Sequence, residues 1–486
     1  MVTRRRLLGT GLAAAGVGLT GASFTPLLAV DPAKASPAKA GPSTAATPEL
    51  FTRPMPLMPV LRPTFRTSTA DHYDVTMRAV RKEVLPGIQT DLLTYNGHFP
   101  GATIKARTGR PVIVRQRNEL DVATSVHLHG ASVTQANDGD PMDTLAPGGE
   151  RVYTYPNKQP HASLWYHDHA HHKESENVYR GLHGSYLLTD AIEDKLPLPK
   201  GEYDVVVAIR DAHFDAAGQL VYTMDDQQRS TLLVNGVPYP YFQVAARKYR
   251  LRFANMSNQR FIGLRLADGG EMIQIGSDGG LLPRPHTTDS FILSPGERAD
   301  VVVDFSRYAV GHKVVLENTI IFAGNAEQVG QVMRFDVVRT ADDPSSVPAV
   351  LRSLPALPAA TNERSITLQM EEGVAHPKGF MDGKMYDPAR VDANIRFGAS
   401  EIWTVTNTNA RVPHNFHMHL VQFRVLERGG KPPAPGETGL KDTVIVAAGE
   451  TVKLQATFDS YRGSYVYHCH MLDHSAMGMM ATMRIS

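Results

Sequence analysis

The sequence predicts an all-β protein made of three consecutive β-sandwich domains, and a repeated pattern carries that prediction. An apolar-alternating strand ending in Asn recurs at 112–118, 249–255 and 401–407, closing on Asn118, Asn255 and Asn407. Asn-Gly turns at Asn96-Gly97 and Asn235-Gly236 precede the first two copies, and the third has lost its Asn-Gly. A second marker follows each strand: Pro147-Gly148-Gly149-Glu150, Pro295-Gly296-Glu297 and Ala448-Gly449-Glu450, each leading into a β-branched alternating run. Period-two alternation is the mark of half-buried strands, and Gly with Pro supplies the turns between them. The 33 Pro and 40 Gly fit many short strands better than a helical bundle.

Taken in order, residues 1–45 read as an export signal and linker. Thr3-Arg4-Arg5-Arg6-Leu7-Leu8 is followed by a run without charge from Leu7 to Val30. The arginine pair resembles a bacterial twin-arginine signal, which carries folded proteins and implies a periplasmic or extracellular destination. Five glycines and Pro26 make that run a poor membrane helix, so no stable insertion is expected once the signal is removed. The first sandwich is expected over 46–192 and the second over 193–340. A Pro- and Ala-rich linker occupies 341–362, and the third sandwich 363–486. Fifty basic against forty-nine acidic residues leave a formal charge of +1, which argues against a nucleic-acid partner. A single Cys excludes any intrachain disulfide.

Four His-x-His pairs stand out: His127/His129, His167/His169, His417/His419 and His468/His470. Residues two apart on a strand share a face, so each pair presents two imidazoles side by side. The pairs fall only in the first and third repeats, while the middle one holds just His213, His286 and His312. Eight converging imidazoles could not satisfy one another by hydrogen bonding, so a metal cluster is indicated. Cys469 narrows the element. It lies between His468 and His470, and its thiol is expected on the opposite face of the strand. With His414, His474 and Met479 it completes two imidazoles, a thiolate and a weak thioether, the donor set of blue copper. Zinc has no use for the thioether and no redox function.

The motifs His127-Leu128-His129-Gly130, Trp165-Tyr166-His167-Asp168-His169, His414-Asn415-Phe416-His417-Met418-His419 and His468-Cys469-His470-Met471-Leu472-Asp473-His474 resemble the four copper motifs of multicopper oxidases. The likeness extends through Ser277-Asp278-Gly279-Gly280 and Ser294-Pro295-Gly296-Glu297-Arg298-Ala299-Asp300, and is greatest to the bacterial three-domain laccase and bilirubin-oxidase branch. It implies cupredoxin-like Greek-key sandwiches and four coppers per chain. A type 1 copper would sit on His414, Cys469, His474 and Met479, and a type 2 copper on His127 and His417. One type 3 copper would take His129, His167 and His470, and the other His169, His419 and His468. The trinuclear group would lie between domains one and three, with domain two as a wall. Electrons from a small aromatic reductant would enter at a type 1 site near the surface. They would pass from Cys469 to His468 and His470 and reduce O2 to water. Asp138, nine residues after His129, matches a proton-handling acid of the family.

Two positions depart from the pattern. Asn415 stands where many relatives have Pro. Ser475 stands where bacterial relatives often carry an acid concerned with proton supply, a loss for which the neighbouring Asp473 is the candidate substitute. His161, His171, His172 and His183 fit no ligand position and are expected to be solvated or accessory. Met471, Met477, Met480 and Met483 read as a soft core around the copper. An exported laccase-like oxidase of phenols or other aromatics is the leading function. The alternatives are bilirubin-type tetrapyrrole oxidation and a metallo-oxidase of Cu(I) or Fe(II), the latter without the Met-rich insert or acidic patch that such a role usually brings. Nitrite reduction needs fewer ligands, and the complete ligand set argues against a copper-free binding scaffold.

Overall fold

Alternation in the sequence becomes alternation in burial: along Val112–Asn118 every second side chain is buried, and the same holds along much of Ser400–Asn407. The computed structural model describes residues 48–224, 228–321 and 326–486. The export signal read over 1–45 lies outside the described residues. No helix among the described residues is long and apolar enough to cross a membrane.

Strands between Phe65 and Thr189 form a five-stranded and a four-stranded sheet. Those between Asp204 and Thr340 form a seven-stranded and a five-stranded sheet, and those between Asn362 and Ile485 two five-stranded sheets. Residues 341–361 carry no helix or strand. The repeated strand has the same neighbours each time. Val112–Asn118, Lys248–Asn255 and Ser400–Asn407 run parallel to Asp71–Glu83, Asp204–Ala212 and Asn362–Met370 respectively. On its other edge each runs antiparallel to the strand after the second marker, Glu150–Tyr155, Arg298–Asp304 or Thr451–Thr457. Parallel neighbours need a crossover, so each repeat is a sandwich and not a meander.

The terminal Asn of the repeat is a buried clamp. Asn118 Nδ2 donates to the Val122 and Leu145 carbonyls, and its Oδ1 accepts from Leu120 N–H. Asn255 does the same with Arg260, Leu293 and Ser257, and Asn407 with Val412, Val446 and Asn409. The backbone N–H of each Asn donates to the marker turn, at Gly149, Glu297 or Glu450. One side chain thus satisfies three backbone groups where the strand leaves its sheet, and this is the physical reason for the sequence repeat.

Each sandwich encloses its own apolar core. The third core, around Trp403, Phe416 and Tyr467, includes Cys469, Met471, Met479 and Met483, so the chemistry-bearing loop is packed into it. Asn255→Ala should destabilise the second sandwich by about 2–4 kcal/mol, because two buried carbonyls and one N–H lose their partner. A drop in the thermal unfolding midpoint of the variant would register it; an unchanged midpoint would show that the clamp is dispensable.

Candidate metal centre

Four short strands deliver the histidines. In the first sandwich Val126–His129 pairs antiparallel with Ala162–Asp168, setting His127 opposite His167. In the third, His414–Met418 pairs with Gly463–His468, setting His417 opposite His468. Within each His-x-His pair the ring centroids are 5.8, 5.8, 5.0 and 5.4 Å apart, in chain order. The two sandwiches face each other across the site, with the His127 ring stacked on His419 at 3.7 Å and His129 on His417 at 3.8 Å. All eight are buried.

Their nitrogens gather into three groups: His127, His129 and His417; His129, His167 and His470; His169, His419 and His468. In each, the candidate donor atoms lie within 4.8 Å of one another. Outer hydrogen bonds fix the tautomers. His127 Nδ1 donates to the Asp138 carbonyl at 2.5 Å and His417 Nδ1 to the Asp442 carbonyl at 2.7 Å, leaving both Nε2 atoms buried without a partner. His167 and His468 donate through Nδ1 to the carbonyls of Asp168 and Cys469. Their Nε2 atoms face other imidazole nitrogens at 3.2–3.4 Å. His129 is reversed: Nε2–H donates to Asp442 Oδ1 at 2.8 Å, so Nδ1 faces His470 Nε2 at 3.1 Å. Lone pairs converging at these distances repel unless a cation lies between them.

A second group forms on the other side of Cys469. Its Sγ lies 3.8 Å from both His414 Nδ1 and His474 Nδ1, which are 3.1 Å apart. His414 Nε2–H donates to Asn409 Oδ1, leaving Nδ1 free to ligate. Cys469 N–H donates to the Met479 carbonyl and Met479 N–H to that of His474, closing the loop that holds three of these residues. Asn415 anchors it: Oδ1 accepts from the His470 and Met471 N–H groups at 2.7 and 3.1 Å, and Nδ2 donates to Ser294 Oγ and the Pro295 carbonyl of the second sandwich.

The donors are tuned toward metal binding. Burial, reinforced by neighbouring imidazoles, holds His167 near a pKa of about 3. Burial holds His468 near about 4, and His127, His129, His417, His419 and His470 well below the ordinary value. Neutral imidazoles are what a metal requires. Burial pushes the Cys469 thiol up to about 12, so a bound cation must supply the charge that releases its proton. Asp138 is 2% exposed, and burial also pushes its carboxyl well above the usual range. It accepts from His419 Nδ1 at 2.7 Å, the carboxylate–histidine arrangement that orients a ligand.

Sequence reasoning missed several partners. Asp442 orients His129 and is itself held by Arg298, which donates to both its oxygens at 2.7 and 2.6 Å. Asp442 sits in no motif, and Arg298 was visible only as part of the Ser294–Asp300 likeness. Trp165 lies against His167 and His129 at 4.3 and 5.2 Å, screening the cluster from water. Gly296, at φ +86°, abuts the His470 ring, where a Cβ would come within 2.9 Å of Nδ1, so this turn of the second sandwich packs against the imidazole cluster.

The structure corrects other expectations. Of the four histidines expected to be solvated or accessory, His161 and His183 are buried: His161 Nε2 accepts from Leu281 N–H, tying first sandwich to second, and His183 lies by Arg210. His172 is exposed and His171 half-buried. Asp473 is no free acid, since Arg229 donates to it at 2.8 Å. His414 and Cys469 are fully buried and His474 is 2% exposed. The Gly379 and Tyr386 N–H groups bond the Met477 and Gly478 carbonyls, so segment 379–386 covers the turn beside them. The reason is tertiary: strand Gly379–Met381 joins the sheet edge beside that loop.

Fold and site together define a cupredoxin-like β-sandwich protein in which buried imidazoles and a thiol are clustered, residue types that suit copper. Family models described as multicopper oxidase match residues 76–192 and 360–486. A laccase of Bacillus subtilis (strain 168) is 35% identical over 90% of this chain and 99% of its own. A bilirubin oxidase of Albifimbria verrucaria is 36% identical over 89% and 80%. A crystal structure of a laccase from Pediococcus acidilactici superposes with a TM-score of 0.84 at 33% identity, covering 92% of this chain and 96% of that one. The chain belongs to the multicopper oxidase family, and it is an oxidoreductase.

The depressed imidazoles set a pH dependence. The unfolded chain binds protons at these histidines from about pH 6.5 downward, whereas the folded metal-free protein resists until near pH 4 at His468 and 3 at His167. Stability is therefore present above the unfolded value and lost as pH falls through that window. Denaturant midpoints of the metal-free protein should drop steeply between about pH 6.5 and 4, and a flat profile would contradict the burial of neutral imidazoles.

Proposed function

We propose that the chain is an exported, laccase-like copper oxidase that takes single electrons from phenolic or other small aromatic substrates and reduces O2 to water. The observation carrying this reading is the run His468-Cys469-His470, in which one residue of a mononuclear donor set is covalently flanked by residues of two imidazole groups. His414, Cys469, His474 and Met479 would hold a type 1 copper, and His127 with His417 a type 2 copper. The groups His129/His167/His470 and His169/His419/His468 would hold the type 3 pair, making four. Copper bound there supplies one-electron acceptance from substrate and four-electron reduction of O2.

The protein's own contribution is orientation, covalent connection and proton handling. Asp442 and Arg298 lock His129 with Nδ1 inward, while the Asp138 and Asp442 carbonyls lock His127 and His417 with Nε2 inward. Cys469 joins His468 and His470 through two peptide units, a short bonded path between the donor sets. Asp138, at hydrogen-bond distance from His419 and raised by burial, can hold or release a proton beside the cluster. Segment 379–386, bonded to the Met477 and Gly478 carbonyls, lies beside the mononuclear loop where a reductant would approach. The kinship with a laccase favours phenols, and the kinship with a bilirubin oxidase keeps tetrapyrroles as the second reading. Export by the twin-arginine route rests on Arg4 and Arg5. Oxygen uptake with a dimethoxyphenol, bilirubin, Cu(I) and Fe(II) distinguishes these substrates, and turnover of the metal ions alone would overturn the aromatic reading.

The mature protein should bind about four coppers per chain and absorb strongly in the red, as a thiolate–copper pair does. Stoichiometric zinc, or a colourless copper-loaded oxidised protein, would refute it. Cys469→Ser should lose the colour, keep about three coppers and abolish substrate-driven O2 consumption, because a hydroxyl is a hard, protonated replacement. Met479→Leu should stay blue with a raised type 1 potential. Asp138→Asn should leave anaerobic reduction by substrate intact and slow reoxidation by O2 on the order of 10²-fold. Equal reoxidation rates at full copper occupancy would reduce Asp138 to a structural turn residue.

A further inference from the structure

At the first position of helix Glu174–Arg180, five residues beyond His169, the protein buries a carboxyl without a cation. Glu174 has no accessible surface. Its Oε1 accepts a long bond, 3.4 Å, from Ser475 Oγ, and its buried Oε2 has no hydrogen-bond partner among the described residues. The guanidinium of Arg229 is committed to Asp473, whose other oxygen takes bonds from Ser175 and Asn258. Of these two neighbouring acids, Asp473 is therefore the one paired with a cation. Desolvation acts most strongly on Glu174 and the nearby Asp168 adds to it; together they outweigh the opposing hydrogen bonds from Ser475 and the local backbone and raise the carboxyl to about 8, which favours the protonated acid at pH 7.

Its placement gives that acid a use. Its one side-chain partner, Ser475, directly follows His474, and its own backbone leads to His169. The chain surfaces immediately before it, at the exposed His172 and Lys173. Position 475 itself holds no acid, so the carboxyl beside this loop comes from the first domain. We infer that Glu174 supplies protons to dioxygen reduction, a role that rests on the oxidase reading above. Each O2 needs four electrons, which come from substrate, and four protons, to give two waters. In each transfer the Glu174 O–H bond breaks, its proton moves inward toward the oxygen being reduced, and the carboxylate regains a proton from bulk water, ending unchanged.

Other titratable or charged groups stand on the elements packed around it. They are Asp473 and His474 on Leu472–Ala476, His167 and Asp168 on Ala162–Asp168, and Asp91 and Tyr95 on Gln89–Tyr95. Tyr222 and Tyr386 lie near it in the second and third domains, and Arg180 on its own helix is paired with Glu176.

The decisive variant is the isosteric Glu174→Gln, compared with the parent as copper-loaded protein. Copper content, blue absorption and anaerobic reduction by a dimethoxyphenol should be parental, while reoxidation by O2 slows by roughly tenfold or more. The parent's reoxidation should decline as pH rises through about 8, and that limb should vanish in the variant. Adding Ser475→Glu to Glu174→Gln should recover most of the rate, which a merely structural loss would not allow. Infrared spectra at neutral pH should show a protonated-carboxyl C=O band in the parent that is missing from Glu174→Gln. A parental reoxidation rate and pH profile in the copper-replete variant, or no such band in the parent, would overturn the proposal. Failure of the parent to load copper would instead defeat the oxidase reading, while the infrared band still judges Glu174 by itself.

Discussion

Burying eight neutral imidazoles from two separate sandwiches face to face is the constraint on which the rest of the structure depends. Neutral rings can stack, as His127 does on His419 and His129 on His417, but the inward nitrogens of these rings find either no partner, as at His127 and His417 Nε2, or only another imidazole nitrogen. The fold answers on the outer side. Every ring whose tautomer is fixed is fixed by a backbone carbonyl or a buried carboxylate, and those acceptors are themselves held. Asp442 is held by Arg298, and Arg298 donates in turn to the Ser163 and Gly296 carbonyls of the two neighbouring sandwiches. Preorganisation of this kind lets a metal bind without reordering its ligands.

The middle sandwich offers none of the donors, yet it sets their positions. Ser294, Pro295 and Gly296 meet Asn415 and His470, and Arg229 and Asn258 fix Asp473 beside the mononuclear loop. Asn415 is the hinge of this arrangement. Its side chain holds the backbone of the two residues after Cys469 and reaches the second domain at the same time. Where a proline would give stiffness by its ring alone, Asn gives it through four hydrogen bonds. The local rigidity that the sequence leaves in doubt at this position is thus restored by tertiary contact.

Much was legible in the sequence for simple geometric reasons. Period-two alternation and the terminal Asn118, Asn255 and Asn407 mark the sandwich repeat because one amide side chain must satisfy the same three backbone groups each time. The His-x-His pairs and the Cys469 position could be read because strand geometry fixes which side chains share a face. Glu174, Asp442 and Asn409 gave no such signal. Each is a lone polar residue, and its partner lies far away in the chain or in a loop of unreadable course: Ser475 for Glu174, His129 for Asp442, His414 for Asn409.

By itself the sequence determined the fold class, the donor inventory and the metal those donors suit, since these follow from residue type and short-range spacing. Only the tertiary structure decided which nitrogen of each ring faces inward and that the mononuclear donors are covered by segment 379–386. It also decided which of two adjacent acids, Asp473 or Glu174, is paired with Arg229. Those outcomes depend on burial and on partners up to hundreds of residues apart, where desolvation acts on Glu174 while Arg229 pairs with Asp473.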